Sequence, residues 1–137
     1  MRRVKGKDTA PEMTLRRALW RRGLRYRLHA ADLPGKPDIV FRGDKVAVFV
    51  DGDFWHGNQW RLRGKASLAD QMGTVHNTTY WTEKIERNMA RDRRNDAALR
   101  RMGWKVIRIW ESALKRSAAR SAARVERALR GGRDDLP

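Results

Sequence analysis

Asp38 follows Pro37. After twelve intervening residues comes Asp51-Gly52-Asp53, followed at once by Phe54-Trp55-His56-Gly57. Carboxylates are hard oxygen donors, and two that converge can hold Mg²⁺ or a similar ion. An ion there can neutralise an anionic phosphodiester, lower the pKa of a water and stabilise a leaving oxygen. A histidine beside it can take a proton from the attacking water or give one to the leaving group. Each residue also has a plain structural use. The aspartates can end strands and begin turns, and Phe54, Trp55 and His56 can pack as a small cluster. Phe54 and Trp55 cannot easily share one face of a strand, so at least one of them faces the surface.

Whether Asp38 and Asp51 meet depends on the strands that carry them. Asp38–Phe41 and Val46–Val50 read as a hairpin joined by Arg42-Gly43-Asp44-Lys45. If Phe41 pairs with Val46, Asp38 lies opposite Phe49 and Asp51 is its diagonal neighbour on the same face, ~7–8 Å away. A slip of one residue sends the two carboxylates to opposite faces. Val46–Val50 is apolar on both faces, as a strand in mid-sheet would be.

The other elements frame this hairpin. Thr9 reads as an N-cap, with Pro11 in the first turn and Glu12 at the capping-box position. Leu15, Ala18 and Leu19 give the stripe of that helix, and Gly23 its stop. Tyr26 and Leu28 alternate with arginines as in a strand, and Asp32–Pro37 is a loop of breakers. From Gly57 to about Asn77 the chain reads as a long surface loop. A long helix runs from Thr78 or Thr79 to about Met102, with Trp81, Ile85, Met89 and Leu99 on one side. Trp104–Trp110 is a further strand, and Ala118–Leu129 a weakly amphipathic last helix. The expected fold is α/β: one domain with a mixed sheet flanked by helices, in the order α-β-β-β-α-β-α. Residues 1–8 are expected to be a basic arm, 9–130 the domain and 131–137 a flexible tail.

Lysine and arginine total 32 against 16 acids, a net charge of +16 in 137 residues. That is a footprint for a polyanion, felt at long range and weakened by salt. Arg87, Arg91 and Arg94 lie three and four apart on the long helix and could form a phosphate-tracking edge. Asp92 is a lone acid in that stretch, free to pair with an arginine or to point into the site. There is no cysteine, which excludes disulfides and thiolate zinc sites and fits a reducing cytoplasm. No apolar run approaches the roughly 18 residues of a membrane span. The basic N-terminus does not lead into the apolar stretch of a signal peptide. Six tryptophans are many for this length, and an exposed one could stack on or wedge between bases.

Several segments, taken in order, resemble the very-short-patch repair (Vsr) DNA mismatch endonucleases, a branch of the PD-(D/E)XK nuclease superfamily. They are Lys7–Glu12, Arg25–His29, Leu33–Phe41, Val48–Gly57, Trp81–Asn88, Arg91–Arg94 and Gly103–Glu111. The resemblance implies a PD-(D/E)XK-like fold and a Mg²⁺-dependent nick, through one or two ions, in one DNA strand 5′ to the thymine of a T·G mismatch. It implies Asp38 and the main-chain carbonyl of Val50 as metal ligands, and His56 as the catalytic histidine. Glu12 and Asp92 would be supporting acids, and Phe54, Trp55 and Trp81 an aromatic wedge entering the DNA stack. Unstacking is easiest at a mismatch, so such a wedge also selects.

This sequence departs from the family in two places. Familiar members hold a structural zinc with three Cys and one His, but the matching positions here are Asp53, Asn58, Trp60 and Ser112. No structural zinc is expected. Asp51 stands where familiar members have His, which would add a carboxylate at the metal. The expected partners are double-stranded DNA, mismatched on this reading, and a mismatch-repair or methyltransferase protein. No membrane is involved, and the chain is expected to act as a monomer in the bacterial cytoplasm, at the nucleoid. A nuclease of the same fold with another target, such as modified DNA or a fixed sequence, is the alternative. A DNA-binding module without catalysis is a third.

Overall fold

The computed structural model describes residues 9–52 and 78–131, apart from the side chains of Thr78, Thr79 and Trp81. The basic arm, the loop from Gly57 to Asn77 and all but the first residue of the tail lie outside the described residues, as do Phe54, Trp55 and His56. Helix α1 is Ala10–Arg21, and strands β1, β2 and β3 are Arg27–Leu28, Ile39–Phe41 and Val46–Asp51. Helix α2 is Thr78–Arg101 and strand β4 is Lys105–Trp110, followed by helices α3 (Glu111–Arg116) and α4 (Ala118–Leu129).

Local chemistry sets the ends of the helices. The Thr9 hydroxyl accepts the Glu12 N–H at 3.4 Å, capping α1. Both α1 and α2 finish on a left-handed glycine, Gly23 (φ 80°) and Gly103 (φ 88°). The following residues close the last turns, with Leu24 N–H donating to Leu19 C=O at 3.1 Å and Trp104 N–H to Leu99 C=O at 3.0 Å.

The four strands lie in the order β1-β2-β3-β4, antiparallel except for the parallel β3–β4 pair, so the sheet is mixed as expected. Phe41 pairs with Val46 and Ile39 with Val48, the register on which the Asp38–Asp51 geometry depends. Alternation divides the sheet between two cores. Ile39, Phe41, Val46, Val48, Ile107 and Ile109 face α1, α3 and α4. Val40, Ala47, Phe49 and Val106 face Leu99 of α2. Strand β3 is thus covered on both sides, which is why it carries no polar alternation. The result is three layers, α/β/α.

Three expectations change. Helix α3 was not expected; it follows β4 without a loop, and its Leu114 is buried against the α1 side. Helix α4 is strongly amphipathic, with Ser121, Ala122, Val125 and Ala128 buried along one stripe. Small residues make that stripe, so apolar bulk along the sequence understates it. The first strand shrinks to Arg27–Leu28, both exposed, because it is an edge strand whose chain turns left-handed at His29 (φ 48°).

Candidate active site

Asp38 immediately precedes β2 and, by alternation with Ile39 and Val40, faces the α2 side of the sheet. Its Oδ2 accepts the Val50 N–H at 2.8 Å, a bond that ties the start of β2 to the end of β3. The left-handed turn at His29 keeps the chain against this point: His29 N–H donates to the Asp38 carbonyl at 3.0 Å, and Ala30 N–H to that of Pro37 at 3.1 Å. The edge strand therefore delivers the His29 imidazole beside the Asp38 carboxylate.

Glu12 arrives from the first turn of α1. Glu12, Leu15, Arg16 and Leu19 form one inward stripe, so two charged residues are buried at the N-terminal end of an apolar face. Glu12 is only 2% exposed. Its Oε2 lies 3.1 Å from Arg16 Nη2 and 3.8 Å from His29 Nε2, and Arg16 Nη2 is also 3.1 Å from His29 Nε2. The helix N-terminus adds a favourable field for the carboxylate. Ligand atoms of Glu12, His29 and Asp38 all lie within 4.8 Å of one another, close enough to converge on one metal ion. Burial pushes the Asp38 carboxyl up to about 6, and the charges of Glu12 and Asp51 add to the rise, while the Val50 N–H and His29 act against it.

A second group of charges lies on the same side of the sheet. Asp51, 3% exposed, ends β3, and both of its oxygens meet Arg108 Nη1, at 3.1 and 3.0 Å. Arg108 projects from mid-β4. Its Nε and Nη2 bond Asp96 at 2.8–3.1 Å, and Asp92 lies 3.7 Å from Nη2. The guanidinium stacks on the Phe49 ring, 4.0 Å from its centroid. Asp38, Asp51, Asp92, Arg91 and Arg108 border a common cleft of about 540 Å³.

The sequence-predicted residues fall out as follows. Asp38, Val50 and Glu12 come together, and Asp51 and Asp92 lie beside them but in the arginine-centred group. Arg87, Arg91 and Arg94 are exposed on α2, with Arg91 at the cleft and 3.9 Å from Asp92. The backbone of Trp81 is in α2. Of the positions matching the family's zinc ligands, Ser112 alone is described, in α3. Residue-type reasoning missed His29, Arg16 and Arg108. The signals were present: Arg16 is i+4 from Glu12 on the apolar stripe, and Arg108 interrupts the run Val106-Ile107-Arg108-Ile109.

Gly35 closes the cleft's edge. It has φ 77°, and a Cβ there would stand 3.0 Å from Asn95 Nδ2 and 3.2 Å from Asn95 Cβ. Gly35→Ala is expected to cost about 1–3 kcal/mol from backbone strain alone, read as a lower denaturant midpoint with an unchanged slope.

The family model described as DNA mismatch endonuclease Vsr matches residues 1–62. The type II nicking enzyme V.NmeDIP of Neisseria meningitidis serogroup C is 42% identical over 130 residues, 95% of this chain and 83% of its own length. V.XorIIP of Xanthomonas oryzae, also a type II nicking enzyme, is 43% identical over 114 residues, 83% of this chain and 78% of its own. The DNA mismatch endonuclease Vsr of Escherichia coli is 36% identical over 115 residues, 84% of this chain and 69% of its own. With likeness at that level along nearly the whole chain, in a basic α/β domain, the protein belongs to the Vsr family of DNA mismatch endonucleases and is a DNA nicking enzyme.

Proposed function

We propose that this enzyme cuts one strand of duplex DNA 5′ to the thymine of a T·G mismatch, with Mg²⁺ bound at Asp38. The observation that carries the metal reading is the convergence of Glu12, His29 and Asp38 at the mouth of the β2–β3 hairpin. Asp38 would hold the ion with the Val50 carbonyl, and Glu12 and His29 would ligate it or orient its waters. When bound, such an ion would neutralise the scissile phosphate and lower the pKa of the attacking water. His56 would move the proton and Asp92 support it, while Phe54, Trp55 and Trp81 open the stack beside the mismatch. Arg87, Arg91 and Arg94 would hold the phosphates of the flanking duplex, with the +16 charge supplying affinity that salt weakens. The proposed domain is 9–130, acting as a monomer on DNA in the cytoplasm.

A second reading, the same chemistry on a different target, draws on one observation. Asp51 is locked to Arg108 where familiar members have His, so part of the cleft floor differs from theirs. Nicking of end-labelled duplexes carrying T·G, T·A, C·G and methylated pairs, with and without Mg²⁺, separates the two. Selective nicking of T·G, dependent on Mg²⁺, is expected. Equal cutting of the T·A duplex would reject the mismatch reading, and full activity in excess chelator would reject the metal.

A further inference from the structure

Positive charge is not spread evenly over the two faces of the sheet. The α2 side, which carries the cleft, has seven lysines and arginines along Thr78–Arg101 against four acids. On the opposite side, covered by α1, α3 and α4, residues 17–25 and 115–130 expose nine lysines and arginines, eight of them arginine. The single acid in those two stretches is Glu126, and Arg22 and Arg130 each meet it at 2.6 Å. Arg22 also donates to the Ala119 carbonyl at 3.4 Å, so the end of α1 lies along one flank of α4. Ala119 and Glu126 are the chain neighbours of Arg120 and Arg127, two exposed arginines about 10 Å apart along the helix. With Arg21, exposed on α1, they belong to one surface. Part of it is held rigid. The Trp20 ring, 54% exposed, lies 3.4 Å from the Arg25 guanidinium and meets the edge of Tyr26 at 6.1 Å, and Tyr26 rests on Phe41 of the core. Arg25 Nη1 is fixed in turn by the Trp20 and Leu24 carbonyls. So many cations with one counter-charge repel one another, and a polyanion would relieve that repulsion.

One straight duplex cannot serve both faces. Three layers put the outer sides of the domain roughly 30 Å apart, from helix and sheet spacings of about 10 Å each, and duplex DNA stays straight over that length unless it is strongly bent. We propose that the α1–α4 face is a second, sequence-independent DNA surface, which holds another duplex, or a distant segment of the same one, while the cleft engages the strand to be cut. This rests on the reading of the Asp38 cleft as the place of cutting. It goes further: the enzyme bridges two DNA segments, and a chain that leaves one with its cleft stays held by the other. Phosphates are the partner the face fits, because arginine forks match phosphate oxygens and make no demand for a particular base.

The test is the mass of the complex by sedimentation, with the full chain in chelator and an excess of a T·G duplex of about 12 base pairs, roughly 40 Å long. The proteins are wild type, Arg21→Gln/Arg120→Gln/Arg127→Gln, and the same three positions changed to lysine. All three are exposed, and none belongs to the cleft. At low salt wild type should carry two duplexes per chain. The glutamine variant should carry one, its affinity for a second reduced at least about tenfold, and in Mg²⁺ should nick the short duplex at the wild-type rate. The lysine variant, which keeps the charge, should carry two. A wild-type chain that takes one duplex only overturns the proposal, even if its α1–α4 face then binds vesicles of anionic phospholipid. So does a glutamine variant that still carries two. Loss of nicking in step with the second duplex also overturns it, by making this face part of a single DNA track. If the glutamine variant shows a lowered urea midpoint, Arg120→Gln/Arg127→Gln takes its place under the same outcomes. Failure of the cleft reading shows separately, as an Asp38→Asn chain that nicks like wild type whichever number of duplexes it holds.

Discussion

Asp38→Asn should abolish nicking, by about 10⁴-fold or more, and at the same time make the metal-free protein more stable at neutral pH. The two effects share one cause. Burial and the neighbouring acids raise the Asp38 pKa to about 6 from 3.8. A carboxyl whose folded pKa is raised favours the fold while protonated. Its contribution is full below about pH 4, where both folded and unfolded chains carry the proton, and is lost as pH rises through 6. At pH 7.5 the ionised side chain therefore costs the metal-free fold up to about 3 kcal/mol, less whatever its partial exposure to solvent relieves. Asparagine keeps an oxygen for the Val50 N–H and never ionises, so it escapes that cost. Urea unfolding in chelator should find Asp38→Asn the more stable at pH 7.5 and level with wild type at pH 4. Mg²⁺ should stabilise wild type alone. Duplex binding should survive, because the +16 charge that supplies it is untouched. A variant less stable than wild type at pH 7.5 would show that Asp38 carries no ionisation penalty and is not held ready for a cation.

On the proposed reading of Asp38 as a metal ligand, the same linkage should set the acid limit of activity. Below about pH 6 a metal ion must displace the Asp38 proton, so nicking at limiting Mg²⁺ should fall roughly tenfold per pH unit. Raising the Mg²⁺ concentration should move that limit to lower pH.

Half of this site was legible because period and turn length are local. A four-residue turn between two apolar runs narrowed the register to two neighbouring choices, and the structure takes the one with Phe41 opposite Val46, which places Asp38 and Asp51 on one face. Thr9, Gly23 and Gly103 marked helix ends through backbone needs that any sequence shows. What could not be read was where long side chains go after they leave an element. Asp51 satisfied the spacing expected of a metal ligand, yet its oxygens face Arg108, 57 residues away in sequence. His29 enters through a left-handed residue that carries no glycine signal, and its closeness to Asp38 follows from backbone bonds outside any regular strand. Helix α3 was missed because six residues are too few for a periodic stripe to stand out. The family resemblance named Glu12 as a supporting acid, but only the burial of Glu12 with Arg16 shows that it also has a structural charge to balance.

That double duty gives the remaining large prediction. Glu12→Gln preserves shape but takes from Arg16, a guanidinium whose side chain is 10% exposed, the carboxylate charge 3.1 Å from its Nη2. Removing one partner of a buried ion pair costs about 3–5 kcal/mol, so this variant should unfold at much lower urea than wild type. Its nicking rate should drop about 10²–10⁴-fold even where it remains folded. Loss of the Glu12 charge also removes one of the influences that raise Asp38, so its residual activity should persist to lower pH than wild type does. Stability and chemistry can be separated with a second change. Replacing both partners by groups of similar shape is often nearly neutral, so Glu12→Gln/Arg16→Met should recover most of the lost stability. If Glu12 serves the metal site, the double variant stays inactive although it is folded. If nicking returns together with stability, Glu12 matters only as the counter-charge of Arg16, and the ion must be held by Asp38 without it.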